Sequence, residues 1–227
     1  MSVSLSDLLG SPESVKRYRK AFNVLLREDR FSDAEAVLLA DLGQLPFDLC
    51  RICQSLSMDE ISVMGWDQLN ALLSRPRLDN GKVCTALQID MSNHVNSSDG
   101  GPSIEVSFYS DDAFLFSNAT KEQILAKNEQ YCPPWTGNFE EIENPLEMTG
   151  LGRLNSTLER QQWRERPKTA EEKVSFALAE LFRTLRFQQA IKREIDTRGL
   201  VRAVPVLVGS NETGPFLETV HFPRLTP

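Results

Sequence analysis

The hydrophobic pattern of this chain changes period at Asp79-Asn80-Gly81, and that change limits the fold more than any other feature. Before it, apolar residues recur every three or four positions, as one face of a helix requires. After it they alternate, as a half-buried strand requires. A chain that keeps its helices and strands in separate stretches does not build alternating βαβ layers, so the expected class is α+β.

The first stretch is punctuated as helices. Ser11-Pro12 supplies an N-cap and a proline at the first helical position, and Val15, Tyr18, Phe22, Leu25 and Leu26 form one stripe ending near Glu28. Ser32 with Glu35 has the form of a capping box ahead of Ala36 to Leu42, with Gly43 as the stop. Pro46 opens a third element through Leu49, Ile52 and Leu56. Ser57 with Glu60 marks a fourth helix carrying Ile61, Met64, Leu69, Leu72 and Leu73, closed by Pro76. Short helices joined by short turns predict a small bundle.

Beyond Gly81, Val83, Thr85, Leu87 and Ile89 alternate with their neighbours, as do Ile104, Val106 and Phe108. The turn Ser110-Asp111-Asp112 leading into Ala113 to Phe116 predicts an antiparallel hairpin. Thr120 with Gln123 starts a helix through Asn128, and Leu151, Leu154 and Leu158 predict another that Pro167 stops. Thr169 with Glu172 caps the longest helix, expected over about 170–198 with Gly199 as its stop. Leu200 to Val208 and Phe216 to Phe222 are β-forming, with Pro205 marking an edge or a bulge in the first of them. The expectation is a small helical bundle packed on a mostly antiparallel sheet of about five strands, with one long helix in the C-terminal half. The turn at Asp79 to Gly81 is too short for a flexible linker, and four short helices alone bury too little surface. Residues 1–227 therefore read as one composite domain, helical over 1–78 and sheet-plus-helix over 79–227.

Charge and motifs narrow the function by exclusion. With 32 acidic against 25 basic side chains the net charge is −7, which repels phosphate backbones and anionic membrane surfaces, so no nucleic-acid partner is expected. No run of about 18 apolar residues predicts a membrane span, and Met1 to Leu9 lacks the charged and apolar regions of a secretory signal, so a cytoplasmic location is expected. Gly-x-Ser-x-Gly, His-Glu-x-x-His and phosphate-loop motifs are missing, and no cofactor is expected. Cys50-Arg51-Ile52-Cys53 has zinc and redox spacing. It lacks a second ligand pair and a preceding strand, so Cys50 and Cys53 read as core residues sharing a face with Leu49 and Leu56 rather than as metal ligands.

Three readings of function remain. An acidic balance without catalytic motifs points to a non-enzymatic protein-interaction or accessory protein of the inhibitor, immunity or scaffold type, binding another protein or itself. Its contact candidates are Trp135, Phe139, Glu140, Glu141 and Glu143, where aromatic anchors sit beside steering charges. The alternative is an enzyme with a carboxylate and histidine site on the sheet, using Asp90, His94, Asp111 or Glu105. A small-ligand sensor, with a pocket between the helical cap and the sheet, is the third. The basic run Arg153, Arg160, Arg164, Arg166 and Lys168, with Trp163 inside it, reads as a solvated helix face because Glu159, Glu165, Glu171 and Glu172 interrupt it.

Overall fold

The helical stretch ends at Ser74 and the main sheet begins at Ala86 in the computed structural model, which describes residues 5–78, 81–95, 98–111, 114–128, 145–210 and 218–223. Helices α1 (Leu5–Gly10), α2 (Pro12–Arg27), α3 (Phe31–Leu42) and α4 (Asp48–Ser55) come first. Strand β1 (Ser62–Met64) and helix α5 (Trp66–Ser74) follow, then strands β2 (Ala86–Val95) and β3 (Pro102–Tyr109), helix α6 (Lys121–Asn128) and strand β4 (Glu147–Thr149). Helices α7 (Gly152–Trp163) and α8 (Ala170–Arg198) lead to strands β5 (Val206–Ser210) and β6 (Thr219–His221). The class is α+β, and among the described residues no helix is long and apolar enough to cross a membrane.

Helix ends are written locally where side chains stay local. Ser11 accepts a hydrogen bond from the Ser14 amide at the start of α2, and both halves of the Thr169/Glu172 capping box form at the start of α8. Tertiary contacts override two other signals. Glu35 does not cap α3, whose N-cap is Arg30 without a side-chain bond. Its carboxylate instead accepts from Arg186 at 2.8 Å and Gln189 at 2.9 Å on α8. The expected fourth helix is broken into a 3-10 turn at Met58–Glu60, β1 and α5, because β1 pairs antiparallel with β4. Gly65 makes the bend between β1 and α5 at φ 83°, and a Cβ there would sit 1.7 Å from the Pro145 carbonyl oxygen.

The main sheet runs β3-β2-β5-β6, with β2/β3 and β5/β6 antiparallel and β2/β5 parallel. The sheet is mostly antiparallel, as expected, with β2/β5 as a parallel pair; among the described residues four strands form the main sheet and two more the β1/β4 ladder, rather than about five in one sheet. The long connection through α6, α7 and α8 supplies the crossover that a parallel pair requires. Asp112 and Ala113 of the expected hairpin lie outside the described residues; Phe114 and Leu115 are not in a strand, a 3-10 turn follows, and Phe116 is buried against Tyr109 at a ring separation of 6.1 Å. Pro205 also differs from expectation. It lies just before β5, an interior strand, where its carbonyl accepts from the Leu87 amide at 2.9 Å and its missing N–H removes no ladder bond.

Helix α8 runs through two cores. Val174, Leu178, Leu181, Phe182 and Leu185 pack with α2, α3, α4 and α7, whereas Phe187, Ala190, Ile191 and Ile195 pack on the sheet and α5. Polar side chains fix its position. Arg186 is 4% exposed, donates to the Leu56 carbonyl at 3.0 Å and lies 4.6 Å over the Phe182 ring, and Arg193 donates to the carbonyls of Met58 and Ile61. Trp66 donates its indole N–H to the Gly199 carbonyl at 2.9 Å, which holds the far end of the helix.

Gly65→Ala is expected to destabilise the protein by about 3 kcal/mol or more, because left-handed backbone and overlap with a carbonyl act together. Gly10→Ala, where a Cβ would meet nothing within 4 Å, should leave stability unchanged or slightly raised. Urea denaturation of both variants checks the contrast.

Candidate functional site

Alternation along the strands gives the main sheet two unlike faces. Leu87, Ile89, Met91, Ile104, Phe108, Val206 and Val208 form the face against α8. On the other face, Ala86, Tyr109, Leu207 and Val220 pack with Phe116, Ile124 and Leu125 at one end, and polar residues take over beyond them. There Asp90 stands opposite Glu105 on one side and Gly209 on the other. One step along the β5/β6 register brings Glu218 over Gly209, so Glu105, Asp90, Gly209 and Glu218 cross the sheet in one row.

Asp90 and Glu218 are each 7% exposed. Tyr109 donates its hydroxyl to Gln88 at 3.0 Å, and Gln88 donates its amide to Asp90 Oδ2. Burial pushes the Asp90 carboxyl up to about 7; the Gln88 bond opposes that and the charge of Glu105 adds to it. A group of this kind can hold or release a proton near neutrality.

Asp111 does not join it. Asp111 lies beyond Tyr109, which pairs with Ala86 at the opposite end of β2. Burial would raise its carboxyl, but hydrogen bonds from Ser117 and Thr85 and from the Ser117 and Phe116 amides hold it below the usual range. His94 lies near the end of β2, within the register irregularity between Ser92 and Val95. Trp135, Phe139, Glu140, Glu141 and Glu143 lie outside the described residues. Cys50 and Cys53 are fully buried on α4 facing α8, with Cys50 Sγ 3.1 Å from Ser175 Oγ, and burial raises both thiols. Among the described residues no three side chains of metal-ligand type converge.

His221 lies on the α8 side of β6, 2.9 Å from Thr219 Oγ1 and 3.7 Å from Asp29. Burial pushes its imidazole down to about 4; Lys192 and Lys121 act the same way, and Asp29 and Asp196 oppose them. It is neutral at pH 7.

A second feature lies where α7 meets α8. Pro167 prevents one continuous helix, and the connection lines an open cleft of about 670 Å³ with Trp163, Arg164, Arg166 and Lys168, closed on the other side by Phe47 and Ser175. Trp163 is 69% exposed. The acids nearby are engaged: Glu165 pairs with Arg160 at 3.4 Å, and Glu172 accepts from the amides of Lys168 and Thr169. Arg164, Arg166 and Lys168 form no ion pair with the described residues. The basic run thus does not form one solvated helix face; its last part leaves the helix. A separate apolar groove of about 510 Å³ lies between α1, α2 and the start of α8, among Leu8, Leu9, Val15 and Val174, and not between helices and sheet.

Glu218, Gly209, Gln88 and Tyr109 were not singled out from the sequence. The available signal was Gly209 directly after a β-forming run; it lies within β5, and a strand glycine marks close approach by other groups. No family model matches this chain, and no curated protein or solved structure matches it either.

Asp90→Asn substitutes a neutral isostere. The native carboxyl keeps a proton up to about 7, while the unfolded one releases it near its ordinary 3.8, so its contribution is present at low pH and lost as pH rises through about 7. The variant should therefore gain on the wild type between pH 5 and pH 8, by on the order of 2 kcal/mol in urea titrations.

Proposed function

We propose that this chain is a protein-interaction or accessory protein, and that it receives an acidic segment of its partner, carrying an apolar side chain, in the cleft of the α7–α8 connection. The observation that supports this reading is Trp163, 69% exposed beside Arg164, Arg166 and Lys168. Tryptophan and arginine are the residue types that most often carry the energy of a protein interface, and an exposed indole beside three cations suits a ligand with one apolar anchor and several carboxylates. The molecule as a whole is acidic, at a net charge of −7, so such a partner is attracted only locally and is turned away from other surfaces.

The probe is a synthetic peptide alternating Glu with Leu and Phe, with a second peptide carrying Lys in place of each Glu. Titrated into the full chain, the acidic peptide should shift tryptophan emission and bind more weakly as salt rises, and Trp163→Phe identifies the responding indole. Trp163→Ala should weaken binding by about 2 kcal/mol, roughly 30-fold, while leaving the melting temperature nearly unchanged. Arg164→Glu with Arg166→Glu should abolish binding. Equal affinity for both peptides, or binding that survives the charge reversals, would sink the proposal.

A further inference from the structure

Apart from that cleft, the helical region meets the edge of the sheet at His221. This side chain is 6% exposed on β6, and its ring centre lies 6.4 Å from that of Phe31 at the start of α3. Both ring nitrogens have fixed neighbours: Nε2 is 2.9 Å from Thr219 Oγ1, and Nδ1 is 3.7 Å from Asp29 Oδ1. Asp29 is itself held in place. It takes a left-handed backbone, φ 57°, at the end of α2, where its amide donates to the Leu26 carbonyl and the Arg30 amide donates to the Leu25 carbonyl.

The charged groups facing His221 are Asp29 from the α2–α3 turn, Lys121 from α6, and Lys192 and Asp196 from α8. Each of the two carboxylates already has a cation. Lys121 Nζ lies 3.2 Å from Asp29 Oδ2, and Lys192 Nζ lies 2.6 Å from Asp196 Oδ2. A protonated imidazole would add a third cation to two balanced pairs, in a position that water hardly reaches, so the ring docks in its neutral form. The element that can give way is β6, a strand of three residues with one neighbour in the sheet.

We propose that His221 is an acid-sensitive latch: a proton taken from solvent onto its ring releases β6 from the α2–α3 turn and from α8, and opens the edge of β5. The proton returns to solvent when the strand docks again. Burial and the two lysines push the docked imidazole down to about 4 against the pull of Asp29 and Asp196, whereas a released ring takes its proton below the ordinary 6.5. Docking is therefore at full strength above pH 6.5 and weakens as pH falls from there toward about 4. Release also has a second consequence. Val220 faces the other way, among Leu207, Phe116, Ile124 and Leu125, so the departing strand uncovers an apolar surface together with an unpaired strand edge.

Amide exchange of the full chain, corrected for intrinsic rates, reads the latch across the β5/β6 ladder, with the amides of Phe182 to Leu185 in the middle of α8 as the reference. Asp90 keeps its proton up to about 7 and acts in the opposite direction over the same range, so the measurement is made in Asp90→Asn. Between pH 7 and pH 5, protection of the ladder should fall about twentyfold while the reference amides hold, and adding His221→Gln should remove the fall. A ladder that stays flat with pH, a fall that survives His221→Gln, or an equal fall in the middle of α8 overturns the latch. If the double variant does not fold, an imidazole NMR titration of the wild type decides the matter. Its His221 midpoint should lie at least about one unit below the ordinary histidine value, and any higher midpoint overturns the proposal.

Discussion

Everything else in this structure depends on α8 being shared. A helix of 29 residues buries its first half among helices and its second half on a sheet, so neither core closes without it. That sharing explains why arginines are buried on it. Arg183 is 3% exposed and donates to Asn155 at 2.7 Å, while Arg186 and Arg193 reach backbone carbonyls between α4 and β1. Burying a guanidinium is costly unless its donors find partners, and here Arg186 and Arg193 donate to the carbonyls of Leu56, Met58 and Ile61 in the broken stretch 56–61. The joint between helical region and sheet is thus polar and specific where the two cores themselves are apolar.

The same division of labour shapes the sheet. One face is largely apolar where α8 covers it, with Thr219 and His221 on it at β6, and the other is apolar only where Phe116, Ile124 and Leu125 reach. Past that cover the strands present carboxylates, and Gly209 leaves space where any side chain would collide with Asp90 and Glu218. Burial raises the Asp90 carboxyl, and this couples a local packing arrangement to pH. The α7–α8 cleft is the converse case: cations that the fold leaves in solvent beside an exposed indole.

Much of the architecture was legible where the determining interactions are short in range. Thr169, Glu172 and Gly199 marked both ends of α8, and Ser11 marked the start of α2, because caps are set by residues within one turn. Glu35 carried the same signal and was misleading, because a carboxylate within reach of Arg186 finds a stronger partner than a backbone amide. The run from Ile61 to Leu73 read as one helix, since nothing within it reveals that Glu147 to Thr149 will pair with Ser62 to Met64. Among site residues, Asp90 and Glu105 stood out as strand carboxylates, but Glu218 enters their row from more than a hundred positions away.

The sequence by itself determined the α+β class, the long capped helix, and the alternation that puts Gln88, Asp90 and Ser92 on one side of β2, since each follows from periods of two or 3.6 residues and from chemistry at chain ends. Only the tertiary structure decided that β2 and β5 run parallel, that Asp90 and Glu218 both come to Gly209 and that Trp163 lines one cleft with Arg164, Arg166 and Lys168. Those outcomes rest on which distant strands and helices meet, and a contact between elements far apart in the chain leaves no periodic trace in either of them.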